Sequence, residues 1–269
     1  MPRLCLVQRV TITSSTLIKP VPSSLIYRLP LRSEKPGVAS PSEQVQYCRE
    51  RRIIGLGWGI HPAPFTLTEC LQRIREDTSP GWGPRAASTI KRFAEAPNGG
   101  LVWTRDVDGT YMLSELSSQW RYDNSAAAGR VDVHQVRDVH WAPKALLDVE
   151  VPGAVVRAFS SRGSSFQQID NEIARQFSRY LFAELTGQRA DMEPPTAEAI
   201  LHELLDPYDV EDLVYTYLQT RGFLVLPASR RRDTPTYEYA LVHKETGQLA
   251  VAQVKTGSNR SPAQAATAA

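Results

Sequence analysis

Residues 236–255 read TYEYALVHKETGQLAVAQVK, two runs of β-favouring residues around a Thr-Gly step, with Glu238 near one end and Gln253 and Lys255 near the other. Alternate residues of a strand share a face, so Gln253 and Lys255 project together while Ala252 and Val254 point the other way. A two-residue turn at Thr246 and Gly247 pairs Glu245 with Gln248 and places Glu238 opposite Lys255. Metal-assisted phosphodiester hydrolysis uses such a set. The acid binds Mg2+ through oxygen, the glutamine carbonyl adds a ligand, and the ammonium orients water or offsets charge developing on the phosphate. The competing reading is a cross-strand ion pair worth under about 1 kcal/mol when exposed. Arg230, Arg231 and Arg232 lie just upstream in ASRRRDTP. They suit contacts to a DNA backbone, and equally a solvated charged loop.

The aromatic residues form a second candidate set. Trp58 and Trp82 each sit in a Gly-Trp-Gly triplet, and Trp120 precedes Tyr122 before a glycine-containing loop. Indole faces beside glycines suit stacking on a nucleobase, worth about 1–3 kcal/mol per base. The bland alternative is that these rings close the end of a small core. Asp123 and Asn124 offer polar groups to a base edge, or serve as turn residues that bond their own backbone. Trp103 and Trp141 alternate with apolar neighbours and read as core. His61, His134, His140, His202 and His243 lack metal-ligand spacing and read as structural.

Bulk properties narrow the classes. The 269 residues are 42% hydrophobic and 22% charged, with a net charge of +2 that argues neither for nor against nucleic acid. No apolar run approaches the roughly 18 residues of a membrane span, so no membrane anchor is implied. Cys5, Cys48 and Cys70 are an odd set without CxxC spacing, which supports neither a disulfide framework nor a zinc site and fits a reducing cytoplasm. Polar residues interrupt residues 1–20, which read as a poorly ordered extension rather than a signal peptide.

The elements that must position these residues divide at QRADMEPPT, a polar double-proline break covering 188–196. Residues 21–187 form the first domain and 197–269 the second. In the first, SLIYRLPLR reads as a strand, PSEQVQYCRERR as a helix capped by Ser42, and RRIIGLGWGI as a strand ending in glycines. TLTECLQRIREDT opens on a capping box, Thr66 with Glu69, and a loop around Trp82 leads to a further helix. Short strands separated by DVDG and NSAAAGR turns then fill 101–141, predicting a small antiparallel barrel or sandwich. SFQQIDNEIARQFSRYLFAELTG predicts one long helix with a stripe of Ile169, Ile173, Phe177, Leu181 and Leu185. In the second domain, AEAILHELL and DVEDLVYTYLQTRG are helices, the latter with Val210, Leu213, Val214, Tyr217 and Leu218 inward. FLVLP and the hairpin follow. The fold class is α+β.

DVEDLVYTYLQTRGFLVLP followed by Glu238 and QVK resembles the PD-(D/E)XK nuclease superfamily, in particular its Mrr-like restriction endonucleases. The resemblance covers about residues 205–257. It implies an α/β nuclease core in which Glu211 is the helix acid, Glu238 the metal-binding acid in place of the usual Asp, Gln253 the second hairpin ligand and Lys255 the lysine. Glu238 and Glu211 would hold Mg2+. The family continues with a helix and strand after the lysine, which TGSNRSPAQAATAA is too short to supply, so a truncated core is expected. Residues 23–145, by the order of their elements and their aromatics, resemble PUA-like domains of the EVE and YTH type. That likeness implies a pocket for a modified or flipped base lined by Trp58 and Trp120, with Trp82 third. Together they imply a defence endonuclease that reads modified DNA and cuts it, as a homodimer if both strands are cleaved. The alternative is a modified-DNA or RNA binding protein without catalysis.

Overall fold

The computed structural model describes residues 25–33, 35, 37–160, 163–188, 196–197, 205, 207–226, 239–252 and 254. They fall into two compact units, one within residues 18–195 and the other within 196–269. Glu238, Gln253, Lys255, Arg230, Arg231 and Arg232, together with Cys5 and the expected N-terminal extension, lie outside the described residues.

In the first unit, β1 (Ile26–Arg28) is followed by α1 (Pro41–Glu50), β2 (Ile53–Leu56), α2 (Leu67–Glu76) and α3 (Pro84–Glu95). Then come β3 (Leu101–Arg105), β4 (Tyr111–Leu116), β5 (Arg121–Tyr122), α4 (Ala126–Val131) and β6 (Gln135–Trp141). The unit ends with α5 (Gly153–Ser160), β7 (Gln167–Gln168) and α6 (Glu172–Thr186). The strands form one sheet in the order β2-β6-β4-β3-β1-β7, with β5 also paired to β6. The strands within residues 101–141 pair antiparallel, as expected, and the sheet as a whole is mixed because β1 runs parallel to β3. A parallel neighbour needs a crossover, and α1, β2, α2 and α3 all lie between β1 and β3 in the chain.

Strand alternation divides the core into two clusters. Val102, Met112 and Leu116 join Tyr27, Ile53, Ile54, Ile90, Phe93 and Phe166 in one. Leu101, Trp103, Tyr111 and Leu113 join Ile26, Val155, Ile169, Ala174 and Phe182 in the other. Both faces are therefore covered, by α1–α3 and by α5–α6 respectively, and each fully buried aliphatic or Phe side chain contributes about 1.5–3 kcal/mol.

Local signals placed several helices well and others only nearly. Thr66 caps α2 by accepting the Glu69 N–H at 3.1 Å, as the spacing predicts. For α1 the cap is Ser40 rather than Ser42: Pro41 occupies the first helical turn, where its missing N–H costs nothing, and Ser40 and Glu43 complete the reciprocal box. NSAAAGR is a helix, α4, capped by Ser125, and not a turn. The long predicted helix begins only at Glu172, with Asn171 as its cap, because Gln167 and Gln168 are taken up as an edge strand against β1. Of the predicted stripe, Ile169 and Ile173 are buried and Leu181 and Leu185 are half-buried against the same core, but the centre of the buried line runs through Ala174, Ser178 and Phe182 rather than Phe177. The reason is polar: the buried Trp103 indole N–H donates to Ser178 Oγ at 3.0 Å, which orients that face toward the sheet.

Cys48 and Cys70 are both buried, and burial pushes their thiols up to about 12 and about 11 respectively. The thiolate is the nucleophile, so at pH 8 both are expected to resist alkylation by iodoacetamide in the folded chain and to react once denaturant unfolds it. Peptide mapping of the alkylated protein checks this. Modification of either within minutes without denaturant would show that these helices open freely.

The second unit contains α7 (Pro207–Thr220), β8 (Phe223–Val225), β9 (Tyr239–His243) and β10 (Leu249–Ala252), with an antiparallel strand order β10-β9-β8. Val210 is buried and Val214 and Leu218 are half-buried, but Leu213 and Tyr217, expected inward, are exposed at 49% and 54%. The hairpin pairs Leu249 with Val242 and Ala252 with Tyr239. Its loop is therefore the four residues Lys244–Gly247. His243 Nδ1 accepts the N–H groups of Glu245 and Thr246 at 3.3 and 3.4 Å, and the Gly247 N–H closes back on the His243 carbonyl at 2.9 Å. The two-residue turn that would set Glu238 across from Lys255 is absent, so the register on which that pairing was reckoned does not hold.

Candidate base-binding site

The strongest convergence of functional side chains lies where β2 ends and β5 and β6 begin. Gly57, Trp58 and Gly59 follow β2 directly. Of the three, Trp58 alone adopts a left-handed backbone, φ +59°, where glycine would be unstrained and a bulky residue is not. The glycines serve a different need. A Cβ on Gly57 would meet Asp132 Oδ2 at 2.5 Å, and one on Gly59 would meet His134 Nε2 at 2.4 Å. The loop thus lies directly on Asp132 and His134, the residues that lead into β6.

One buried amide ties two tryptophans together. Gln135 is fully buried; its Nε2 donates to the Trp58 carbonyl at 3.1 Å, and its Oε1 accepts the Trp120 indole N–H at 3.1 Å and the Cys70 thiol at 3.4 Å. The Trp58 indole N–H in turn donates to the carbonyl of Gly81, next to Trp82, at 2.9 Å. Trp58, Trp82 and Trp120 are each half-buried and packed against the core cluster. The indole N–H groups of Trp58 and Trp120 are thereby committed to the protein, while all three residues stay partly exposed. Tyr122 lies parallel to His134, with ring centroids 5.6 Å apart, and its hydroxyl donates to the Ile60 carbonyl at 2.9 Å. His134 Nδ1 is 2.8 Å from the Asp123 carbonyl.

The site residues predicted from sequence fare differently. Trp58, Trp120 and Trp82 are brought into one hydrogen-bonded neighbourhood. Asp123 belongs to the framework: its Oδ1 accepts the Ser125 N–H at 2.9 Å and its Oδ2 the Tyr47 hydroxyl at 3.5 Å. Burial pushes its carboxyl up, but the Ser125 hydrogen bonds and the charges of Arg121 and Arg51 outweigh this and hold it below the usual carboxylate range. Trp103 is fully buried and Trp141 half-buried against the core. Gln135 and Asp132 were missed, because an isolated polar residue inside VDVHQV carries no sequence signal that distinguishes it from a surface position, whereas His134, read as structural, has framework contacts to Asp123 and Tyr122.

For the expected metal centre, Glu211 lies half-buried on α7 and is the one predicted ligand among the described residues. Among the described residues no group of three or more His, Cys, Asp or Glu side chains is placed to hold a metal ion. Nor is any described helix long and apolar enough to cross a membrane. Two broad surface depressions lie away from the tryptophans. One, of about 590 Å3, is lined by Ser42, Val45, Gln46, Arg49, Glu50 and Asp106; the other, of about 480 Å3, lies beside Tyr27, Arg92 and Phe166. Neither gathers the stacking and hydrogen-bonding groups found around Gln135.

No family model matches the chain, and no curated protein matches it. Among solved structures, the chain is similar to the YTH domain of the Zygosaccharomyces rouxii MRB1 protein in complex with N6-methyladenosine RNA, at 16% identity and a TM-score of 0.34, over 62% of this chain and 91% of that one. The Pho92 YTH domain in complex with m6A is 11% identical with a TM-score of 0.33, over 65% and 92% of the two chains. A protein of Agrobacterium tumefaciens is 13% identical with a TM-score of 0.27, over 64% and 100%.

Proposed function

We propose that the first unit binds a nucleic acid strand by holding one extruded base against Trp58 and Trp120, and that the base it prefers carries an apolar modification. The observation that carries this reading is the Gln135 amide. While fully buried, it holds the Trp58 backbone and the Trp120 indole at once, and the Trp58 indole is held in turn by the Gly81 carbonyl, so both residues are positioned before any ligand arrives. Stacking on two aromatic faces is worth about 2–6 kcal/mol, which is comparable to the few kcal/mol needed to unstack and unpair a base. Single-stranded ligands are therefore expected to bind better than duplexes. A methyl group buried beside the indoles adds about 0.8 kcal/mol, roughly fourfold in affinity.

Of the two functions expected from sequence, this is the binding module. The nuclease reading rests on Glu238, Gln253 and Lys255, which lie outside the described residues.

The test is a titration of the full chain with fluorescent single-stranded DNA and RNA oligonucleotides, each with and without one N-methylated base, at low and physiological salt. Preferential binding of the methylated strand is expected, with DNA against RNA decided by the same series. An absence of binding to any strand at low salt would overturn the proposal.

A further inference from the structure

Phe65 is the most exposed large apolar residue among those described, at 95%, and it sits on a loop that is anything but loose. It occupies the position just before the Thr66 cap of α2, where an apolar side chain ordinarily folds back onto the fourth residue of the helix. That residue is Cys70, which is fully buried, so Phe65 does not make this contact and presents its ring to solvent instead. Meanwhile the backbone leading to it is held at Ile60, His61, Pro62 and Phe65 itself. The Ile60 N–H and carbonyl are both bound by the Tyr122 hydroxyl. Arg73 donates to the carbonyls of His61 and Pro62 at 2.9 and 2.7 Å. Glu69, instead of reaching back to the cap residue, accepts the Phe65 N–H at 2.9 Å. Pro62 and Pro64 remove two further backbone freedoms.

A rigid loop that displays an aromatic face costs apolar exposure, and it gains nothing within the described fold. Its location supplies the gain. The loop that carries Phe65 starts at the tryptophans: Ile60, two residues beyond Trp58, is bound through its backbone N–H and carbonyl by the hydroxyl of Tyr122, two residues beyond Trp120. We infer that Phe65 is a stacking platform for the nucleobase next to the one held by Trp58 and Trp120. This inference rests on the base-binding reading above and adds a second, sequence-tolerant contact to it. Every base has a π face, so Phe65 would raise affinity for modified and unmodified strands alike, whereas the tryptophan pair would discriminate between them.

The test uses the full chain and a single-stranded oligonucleotide that carries 2-aminopurine beside the methylated base. Phe65→Ala is expected to weaken binding by between about fivefold and about a hundredfold, equally for methylated and unmethylated strands, and to abolish the 2-aminopurine quenching seen with the wild type. Phe65→Trp should restore both; Phe65→Leu, apolar but without a π face, should not. Because the ring is exposed, none of these variants should shift the melting temperature. Unchanged affinity in Phe65→Ala, or leucine performing as well as phenylalanine, overturns the stacking assignment and leaves the tryptophan site standing. A wild-type chain that binds no strand overturns both.

Discussion

Trp120→Ala is expected to weaken binding of a methylated single-stranded oligonucleotide by about 1–3 kcal/mol, roughly fivefold to more than a hundredfold. It should also erase the preference for the methylated strand. Trp58 is expected to behave alike in binding and differently in stability. Its left-handed backbone costs a non-glycine residue about 1–2 kcal/mol. Trp58→Gly therefore relieves strain while it removes a ring, and its melting temperature should fall less than that of Trp58→Ala. A residue kept in a strained conformation that glycine would occupy freely is being used for its side chain. The measurement is anisotropy alongside thermal unfolding for the three variants. Retained discrimination in both Trp120→Ala and Trp58→Gly would show that the base is read elsewhere.

The largest loss of stability is expected from Arg137→Ala. This guanidinium on β6 is fully buried and has no carboxylate partner among the described residues. It donates to the carbonyls of Ser118, Phe93 and Ala96 at 2.8, 3.1 and 2.5 Å and to the Asn98 side-chain oxygen at 2.6 Å. Phe93 and Ala96 lie at the C-terminal end of α3, where the carbonyls lack partners in the helix and the dipole favours a cation. Burial lowers the pKa of this guanidinium, yet four acceptors surround it. Removing it strands those acceptors, at about 1–3 kcal/mol for each one that stays dry, so a loss of about 3–5 kcal/mol is expected. For a unit of this size that is roughly a 10 °C fall in melting temperature. All five tryptophans belong to residues 18–195, so their fluorescence during urea unfolding reports on this unit alone. A loss below about 1 kcal/mol would mean that water replaces the guanidinium at little cost.

Side-chain periodicity and caps made much of the first unit readable. Thr66 and Glu69 were visible as the start of α2, and the strands of residues 101–141 as short β-favouring runs between turns, because each signal spans only a few residues. The centre of the buried α6 line was missed because it depends on Trp103, 75 residues away, finding its acceptor in Ser178. The hairpin register was misjudged because the turn is set by a side chain, His243, accepting two loop amides, which pairing rules for short turns leave out.

For the site, composition and position alone determined that aromatic residues beside glycines were the groups to watch, and Trp58, Trp82 and Trp120 stand out in any reading of the chain. Tertiary structure decided what holds them. The amide that unites Trp58 and Trp120 belongs to Gln135, 77 residues from one and 15 from the other. A buried glutamine must satisfy both ends of its amide, and only the folded chain shows which partners do so. The same holds for the GWG loop. Its glycines advertised freedom to turn, but they are required because Asp132 and His134 press against them, and the left-handed turn is made by the tryptophan between.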